Sequence, residues 1–406
     1  MNLRSSGISR CWSACLLASL GGSALGDDEP IRFKAQTVDD RVEIGYGVAA
    51  GDVDGDGLVD LLLADRKSFV WYRNPDWKRF EIVRDLTPLD NVCIAARDID
   101  GDGRVEIAVG AMWNPGDTVD SGSVHYLIPQ EDRTLPWTPL ALSHEPTTHR
   151  MRWLHKGSGA YSLIVAPLHG RGNRNGEGDP VKIQAYDPPA DPREPWTVTT
   201  IDASLHMTHN LDVFAESTDE SAESSAESSA ESLLIVGREG ARRARWIDES
   251  WQVDTIERIE GSGEVRVGRD AAGRGFVTTV EAMHGDRLVV YPLTDEPSAE
   301  RWTAGDRIVL DDRLAAGHAL AVGDLLGTGE DQIVVGWRLP NADSDVGVKL
   351  FRRDDAGAWH GDWIDQGGMA TEDAIVVDLD GDGDLDIVAA GRATTNLKIY
   401  WNRRIE

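Results

Sequence analysis

The stretch Val48-Ala-Ala-Gly-Asp-Val-Asp-Gly-Asp-Gly-Leu-Val-Asp-Leu-Leu-Leu-Ala64 reads as an apolar strand, an acidic glycine-rich loop and a second apolar strand. The pattern returns at Ile94-Ala-Ala-Arg-Asp-Ile-Asp-Gly-Asp-Gly-Arg-Val-Glu-Ile-Ala-Val-Gly110 and at Ala374-Ile-Val-Val-Asp-Leu-Asp-Gly-Asp-Gly-Asp-Leu-Asp-Ile-Val-Ala-Ala390. A worn copy runs from Ala319 to Gly336, with Leu326, Thr328 and Gln332 where the other loops carry acids. Strands with aromatic residues follow, as in Phe69-Val-Trp-Tyr72 and Leu397-Lys-Ile-Tyr-Trp401. Three further units, Met151–Ala166, Leu211–Gly237 and Val265–Val280, keep the strands without the acidic loop. Seven units over residues 27–406 give a period of about 54 residues. Four short strands at that period predict an all-β, seven-bladed propeller. Ile31–Val38 is expected to supply the outer strand that closes the last blade, because ring closure removes exposed sheet edges.

In Asp-x-Asp-Gly-Asp-Gly-x-x-Asp, carboxylates at positions 1, 3, 5 and 9 and a main-chain carbonyl at position 7 suit a hard cation such as calcium. The predicted ligands are Asp52, Asp54, Asp56, Leu58 and Asp60 in blade one, and Asp98, Asp100, Asp102, Arg104 and Glu106 in blade two. Blade seven offers Asp378, Asp380, Asp382, Asp384 and Asp386. Each set lies within one hairpin, so these ions are expected to be structural.

Arg4 and Arg10, the short apolar run Trp12–Leu20 and the small residues before Asp27 form a signal-peptide pattern over residues 1–26. A secreted or periplasmic protein without a membrane span is expected. Of the cysteines, Cys93 alone would survive cleavage, which leaves no internal disulfide. The net charge of −29 disfavours nucleic acid and anionic lipid as partners. Residues 216–232, with repeated Ser-Ala-Glu-Ser, read as a disordered insertion in blade four.

Because the repeats superpose, positions can be compared around the ring. Six residues before each loop stand Tyr46, Val92, His318 and Glu372; anchoring the worn blades on their apolar strand gives His149, His209 and Glu264. Ends of the second strands carry Arg66, Trp113, His169, Arg238, His284, Arg338 and Arg392. Both sets are expected at one mouth of the central channel, with the acidic loops about 20 Å away at the other end. Clustered imidazoles with a carboxylate suit zinc or a similar divalent transition metal. His149, His209, His318 and Glu264 are the expected metal set, with Arg66, Trp113, Arg238, Glu372 and Arg392 facing a polar small molecule.

The acidic loops resemble FG-GAP/VCBS-type repeats. The segments His206-Met-Thr-His-Asn-Leu-Asp212, Glu264-Val-Arg-Val-Gly268, Val280-Glu-Ala-Met-His-Gly285, Gly317-His-Ala-Leu-Ala321 and Val335-Gly-Trp-Arg338 resemble the propeller domain of the fungal aldos-2-ulose dehydratases. That resemblance implies a metal-dependent lyase eliminating water, or an alkoxide, β to the carbonyl of a keto-sugar such as 1,5-anhydrofructose. It also implies that His155, His169, His284 and Arg338 serve catalysis beside the metal set. The cupin domains that follow the propeller in the fungal enzyme have no counterpart in this sequence, so any step needing them must come from elsewhere. A polysaccharide lyase and a non-catalytic, calcium-dependent carbohydrate-binding or adhesion propeller are the alternative readings.

Overall fold

A computed structural model describes residues 33–216, 230–295, 299–343, 345–354 and 356–403. The expected signal peptide, residues 1–26, lies outside them. The described chain forms seven four-stranded antiparallel sheets. Six are built from four consecutive strands each. The seventh joins Thr371–Val377, Asp386–Gly391 and Asn396–Asn402 to the first strand, Phe33–Asp39, which pairs antiparallel with Asn396–Asn402. Innermost strands of neighbouring blades touch all the way round, including the first and the last, so the ring is closed. No described helix is long and apolar enough to cross a membrane.

Apolar residues on both faces of the middle strands bury between blades. Leu62 and Trp71 of blade one pack with Ile107 and Val109 of blade two, while Leu61, Leu63 and Val70 meet Val388 and Ile399 of blade seven. Buried tyrosines keep a polar partner for their hydroxyls: Tyr72 donates to Asp39 at 2.8 Å and Tyr400 to Asp365 at 2.7 Å. Asparagine side chains pin blade to blade. Asn74 Nδ2 donates to Leu379 O and Asn402 Nδ2 to Leu325 O, each at 2.7 Å. Cys93 is free and buried.

The blade-four insertion is narrower than 216–232. Glu231 and Ser232 belong to the strand Glu231–Gly237 and pair with Ala215 and Phe214. Glu216 forms an ion pair with the buried Arg243, and Glu231 one with Arg97 at 2.8 Å. Residues 217–229 lie outside the described residues.

Candidate functional site at the channel mouth

The innermost strands of blades three to seven open with a register shift. Thr148 pairs with Pro167 but Arg150 with Ala166, and the same step recurs at Thr208/Asn210, Ser262/Glu264, Gly317/Ala319 and Thr371/Asp373. Such a bulge leaves one residue out of the ladder and re-aims its side chain. The bulge residues are His149, His209, Gly263, His318 and Glu372. Blade five therefore presents Gly263 at the ring position, which corrects the placement of Glu264 there: Glu264 follows the bulge, equivalent to Asn210 and Ala319 of the neighbouring blades.

Each ring histidine reaches the main chain of the next blade. Nδ1 of His149 meets His209 O at 2.8 Å, that of His209 meets Gly263 O at 3.0 Å, and that of His318 meets Glu372 O at 2.6 Å. A carbonyl only accepts, so Nδ1 carries the proton in all three and Nε2 keeps its lone pair. A carbonyl behind the ring is the support that metal-binding histidines ordinarily have. His149, His209 and His318 are 5, 1 and 3 % exposed.

His284 arrives from the turn between the middle strands of blade five, with φ of 51°. A left-handed backbone is costly for a side-chain-bearing residue and is held by its surroundings. One side of His284 is exposed, while its Nε2 lies 2.7 Å from His209 Nε2. His209 has its proton on Nδ1, so His284 donates in this contact. Ring nitrogens of His209, His284 and His318 lie within 4.8 Å of one another. Tetrahedral ligands about 2 Å from a zinc ion stand roughly 3.3 Å apart, so an ion here would need His284 to carry its proton on Nδ1 and the 2.7 Å contact with His209 to open.

The predicted metal set is thereby redistributed. His284, expected to serve catalysis, stands with His209 and His318. His149 stacks between Trp113 and His209, with ring centroids 4.9 and 4.6 Å away, and its Nε2 faces Arg150 Nη1 at 3.4 Å. Glu264 sits behind His209: its Oε1 lies 3.0 Å from His209 Nδ1, off the line of the N–H that serves Gly263 O, and its Oε2 accepts from Asn210.

Electrostatics keeps three of the imidazoles neutral. Burial, reinforced by Arg150, holds His149 well below the usual histidine value. Burial and Arg338 do the same for His318. Desolvation, His209 and Arg338 push His284 down to about 3. Burial raises Glu264, but His209, Arg150 and Arg266 outweigh it and leave the carboxyl below its ordinary value.

Around this centre Glu372 holds Arg338 at 3.3 Å and Arg392 at 3.5 Å. Arg392 lies over the Tyr46 ring, and the Tyr46 hydroxyl donates to Asp90 at 3.2 Å. Asp90 also takes Arg66 at 3.4 Å. Arg238 turns outward to Asn175 O at 2.7 Å. His169 is half-buried beside the ring, with its Nδ1 enclosed and without a hydrogen-bond partner. His155 does not join: it ends the strand Thr148–His155 that His149 begins, takes Gly159 N–H on Nε2 at 3.2 Å and stacks on Tyr161. Arg150, Tyr46 and Asp90 were absent from the predicted site. Tyr46 was findable, since it holds the ring position of blade one; nothing in the sequence marked Arg150 or Asp90.

At the opposite ends of the inner strands lie the acidic loops. Asp52, Asp54 and Asp60 bring oxygens within 4.8 Å, as do Asp98, Asp100 and Glu106, and Asp378, Asp380 and Asp386. Asp52 accepts from Gly55 N and Gly57 N at 2.7 and 2.8 Å, and those glycines have φ of 83° and 85°, angles a side chain would resist. Asp56, Asp102 and Asp382 turn instead onto the amides of Leu58, Arg104 and Asp384. The last acid of each loop is also a fold element: Asp60 accepts from Val53 N and Asn74 N at 2.9 and 2.8 Å. In blade six Gln332 accepts from Leu326 N at 2.8 Å, filling the same structural place without a charge.

Residues 45–109 match the FG-GAP-like repeat and residues 94–127 the FG-GAP repeat. Among curated proteins no sequence matches the chain. Solved structures agree in fold. Hydrazine synthase of Kuenenia stuttgartiensis superposes with a TM-score of 0.55 at 12 % identity, covering 96 % of this chain and 99 % of that one. A chain of the mitotic checkpoint complex gives 0.55 at 9 %, covering 97 and 98 %. A fungal alcohol oxidase of the AA5 family in complex with copper gives 0.52 at 14 %, covering 92 and 76 %. At such identities the likeness is one of architecture: a seven-bladed β-propeller carrying FG-GAP repeats in its first two blades.

Proposed function

We propose that the protein is a secreted lyase that eliminates water or an alkoxide β to the carbonyl of a keto-sugar, at a divalent-metal site formed by His209, His284 and His318. The carrying observation is that nitrogens of these three residues come within 4.8 Å of one another, with His209 and His318 held by main-chain carbonyls so that Nε2 keeps its lone pair. The set suits zinc or a similar cation, which would polarise the substrate carbonyl and make the adjacent C–H acidic. His149, neutral and beside His209, takes the proton as general base. Arg338 and Arg392, oriented by Glu372, bind sugar oxygens. The departing oxygen takes its proton from solvent at the mouth. The short motifs that resemble the aldos-2-ulose dehydratase propeller support the same reaction class. We assign the acidic loops of blades one, two and seven to structural calcium.

The test supplies zinc-loaded protein with 1,5-anhydrofructose and follows the ultraviolet absorbance of the unsaturated ketone. Turnover should stop on chelation and return with zinc. Turnover indifferent to chelation would overturn the metal's role. Binding of the sugar without chemical change would favour a carbohydrate-binding module.

A further inference from the structure

Beneath the histidines, the first residue after the blade-three bulge is Arg150, which is 4 % exposed. Its Nη1 contacts His149 Nε2 at 3.4 Å and His149 O at 3.2 Å, while its Nη2 is enclosed without a hydrogen-bond partner. Among the described residues no carboxylate lies within ion-pair distance of it. Of the other mouth arginines, Arg338 and Arg392 are compensated by Glu372 and Arg66 by Asp90, while Arg238 turns outward to Asn175 O. The charge of Arg150 acts on His149, His284, His318, Glu264 and Glu372, from four different blades.

A buried guanidinium with a free edge is a costly arrangement unless something completes it. The fork of two N–H groups matches the two oxygens of a carboxylate. His149, His284 and His318 are neutral beside Arg150, and Glu264 and Glu372 feel its charge without forming an ion pair with it.

We infer that Arg150 is the recognition group for a carboxylate on the substrate, so that the mouth takes a sugar acid in preference to a neutral sugar. This deepens the lyase reading by naming the substrate class. Nη2 is covered in this structure, so a carboxylate reaches it only when the neighbouring side chains part; bound there, it would fix the sugar in the channel with its remaining oxygens toward His209, His284 and His318. Arg338 and Arg392 then serve hydroxyls.

Titration calorimetry on the full zinc-loaded chain tests this with two probes, D-glucuronate and D-glucose. A charge-assisted bond to a buried arginine predicts roughly 10- to 100-fold tighter binding of glucuronate. Arg150→Gln should erase the preference, and Arg150→Lys, a point charge without the fork, should retain part of it. Should Arg150→Gln not fold, Arg150→Lys decides: a preference reduced about tenfold supports the assignment, and an unchanged one overturns it. Equal affinity of the wild type for both sugars also overturns it. Elimination from a neutral keto-sugar without a glucuronate preference would sink this inference and leave the lyase standing. A glucuronate preference without any elimination would do the reverse.

Discussion

The two ends of the channel use metal-ligating side chains in opposite ways. At the loop end each candidate ion set comes from one hairpin, and the carboxylate that closes it also caps amides of its own blade, as Asp60 does for Val53 and Asn74. At the mouth the ligand set spans blades four, five and six, and each ring histidine leans on the blade beside it. A set contained in one hairpin can hold that hairpin together; a set shared among blades exists only once the ring has closed. On the proposed reading, the loop end serves to stabilise and the mouth to present reactive groups in a fixed geometry.

The largest effect expected from this contrast is on catalysis. His209→Gln should lower turnover by roughly 10²–10⁴-fold, as losing an oriented catalytic group does, while shifting the melting temperature by only a few degrees. A large loss of stability with activity kept per folded molecule would reverse the assignment.

Chelation should act at the other end. An ion bound at 100 times its dissociation constant stabilises by about 2.7 kcal/mol, so calcium removal should lower the melting temperature by several degrees, more than chelator does to a Glu106→Gln variant. That variant copies blade six, where Gln332 keeps the loop closed without charge. Equal chelator sensitivity in both proteins would remove calcium from blade two.

Acid should separate the ends as well. Burial raises Asp60 and Glu106 to about 7 and Asp386 to about 6. A carboxyl raised above its unfolded value of about 4 favours the ion-free fold at low pH, and that advantage is lost as pH rises through 6 to 7. The calcium-dependent gain in melting temperature should therefore be largest above pH 7 and at least halve by pH 5. His149, His284 and His318, held below their usual value, stay neutral over that interval. A calcium effect independent of pH would contradict the assigned ligands.

The smallest effect should come from neither end. Replacing residues 217–229 with a short glycine-serine turn keeps Glu216 with Arg243 and Glu231 with Arg97, and should move the melting temperature by about a degree or less. A larger drop would show that the segment supports blade four.

What was legible in the sequence follows the same division. Acidic loops and blades repeat locally, so strand count, ring closure and loop positions could be read directly. The ring of histidines was legible because repeats superpose: anchoring on the apolar strand places His149 and His209 although blades three and four lack the acidic loop. In blade five the same anchoring slips by one residue, to Glu264 in place of Gly263. His155 was placed at the mouth by resemblance, although six residues of extended strand separate it from His149. His284 could not be assigned with His209 because its position depends on a turn of left-handed backbone. Arg150 looked like an ordinary strand residue; its isolation appears only when seven blades surround it. Ser-Ala-Glu-Ser repetition ran into Glu231 and Ser232, hiding the start of a paired strand.

Anomalous diffraction from crystals grown with calcium and zinc, collected on both sides of the zinc edge, tests the central claim most directly. The account predicts a zinc peak bound by His209, His284 and His318, with the 2.7 Å contact between His209 and His284 opened, and calcium at the acidic loops with no zinc-edge signal there. Intact hydrogen bonding between His209 and His284 with no zinc peak at the mouth would contradict it.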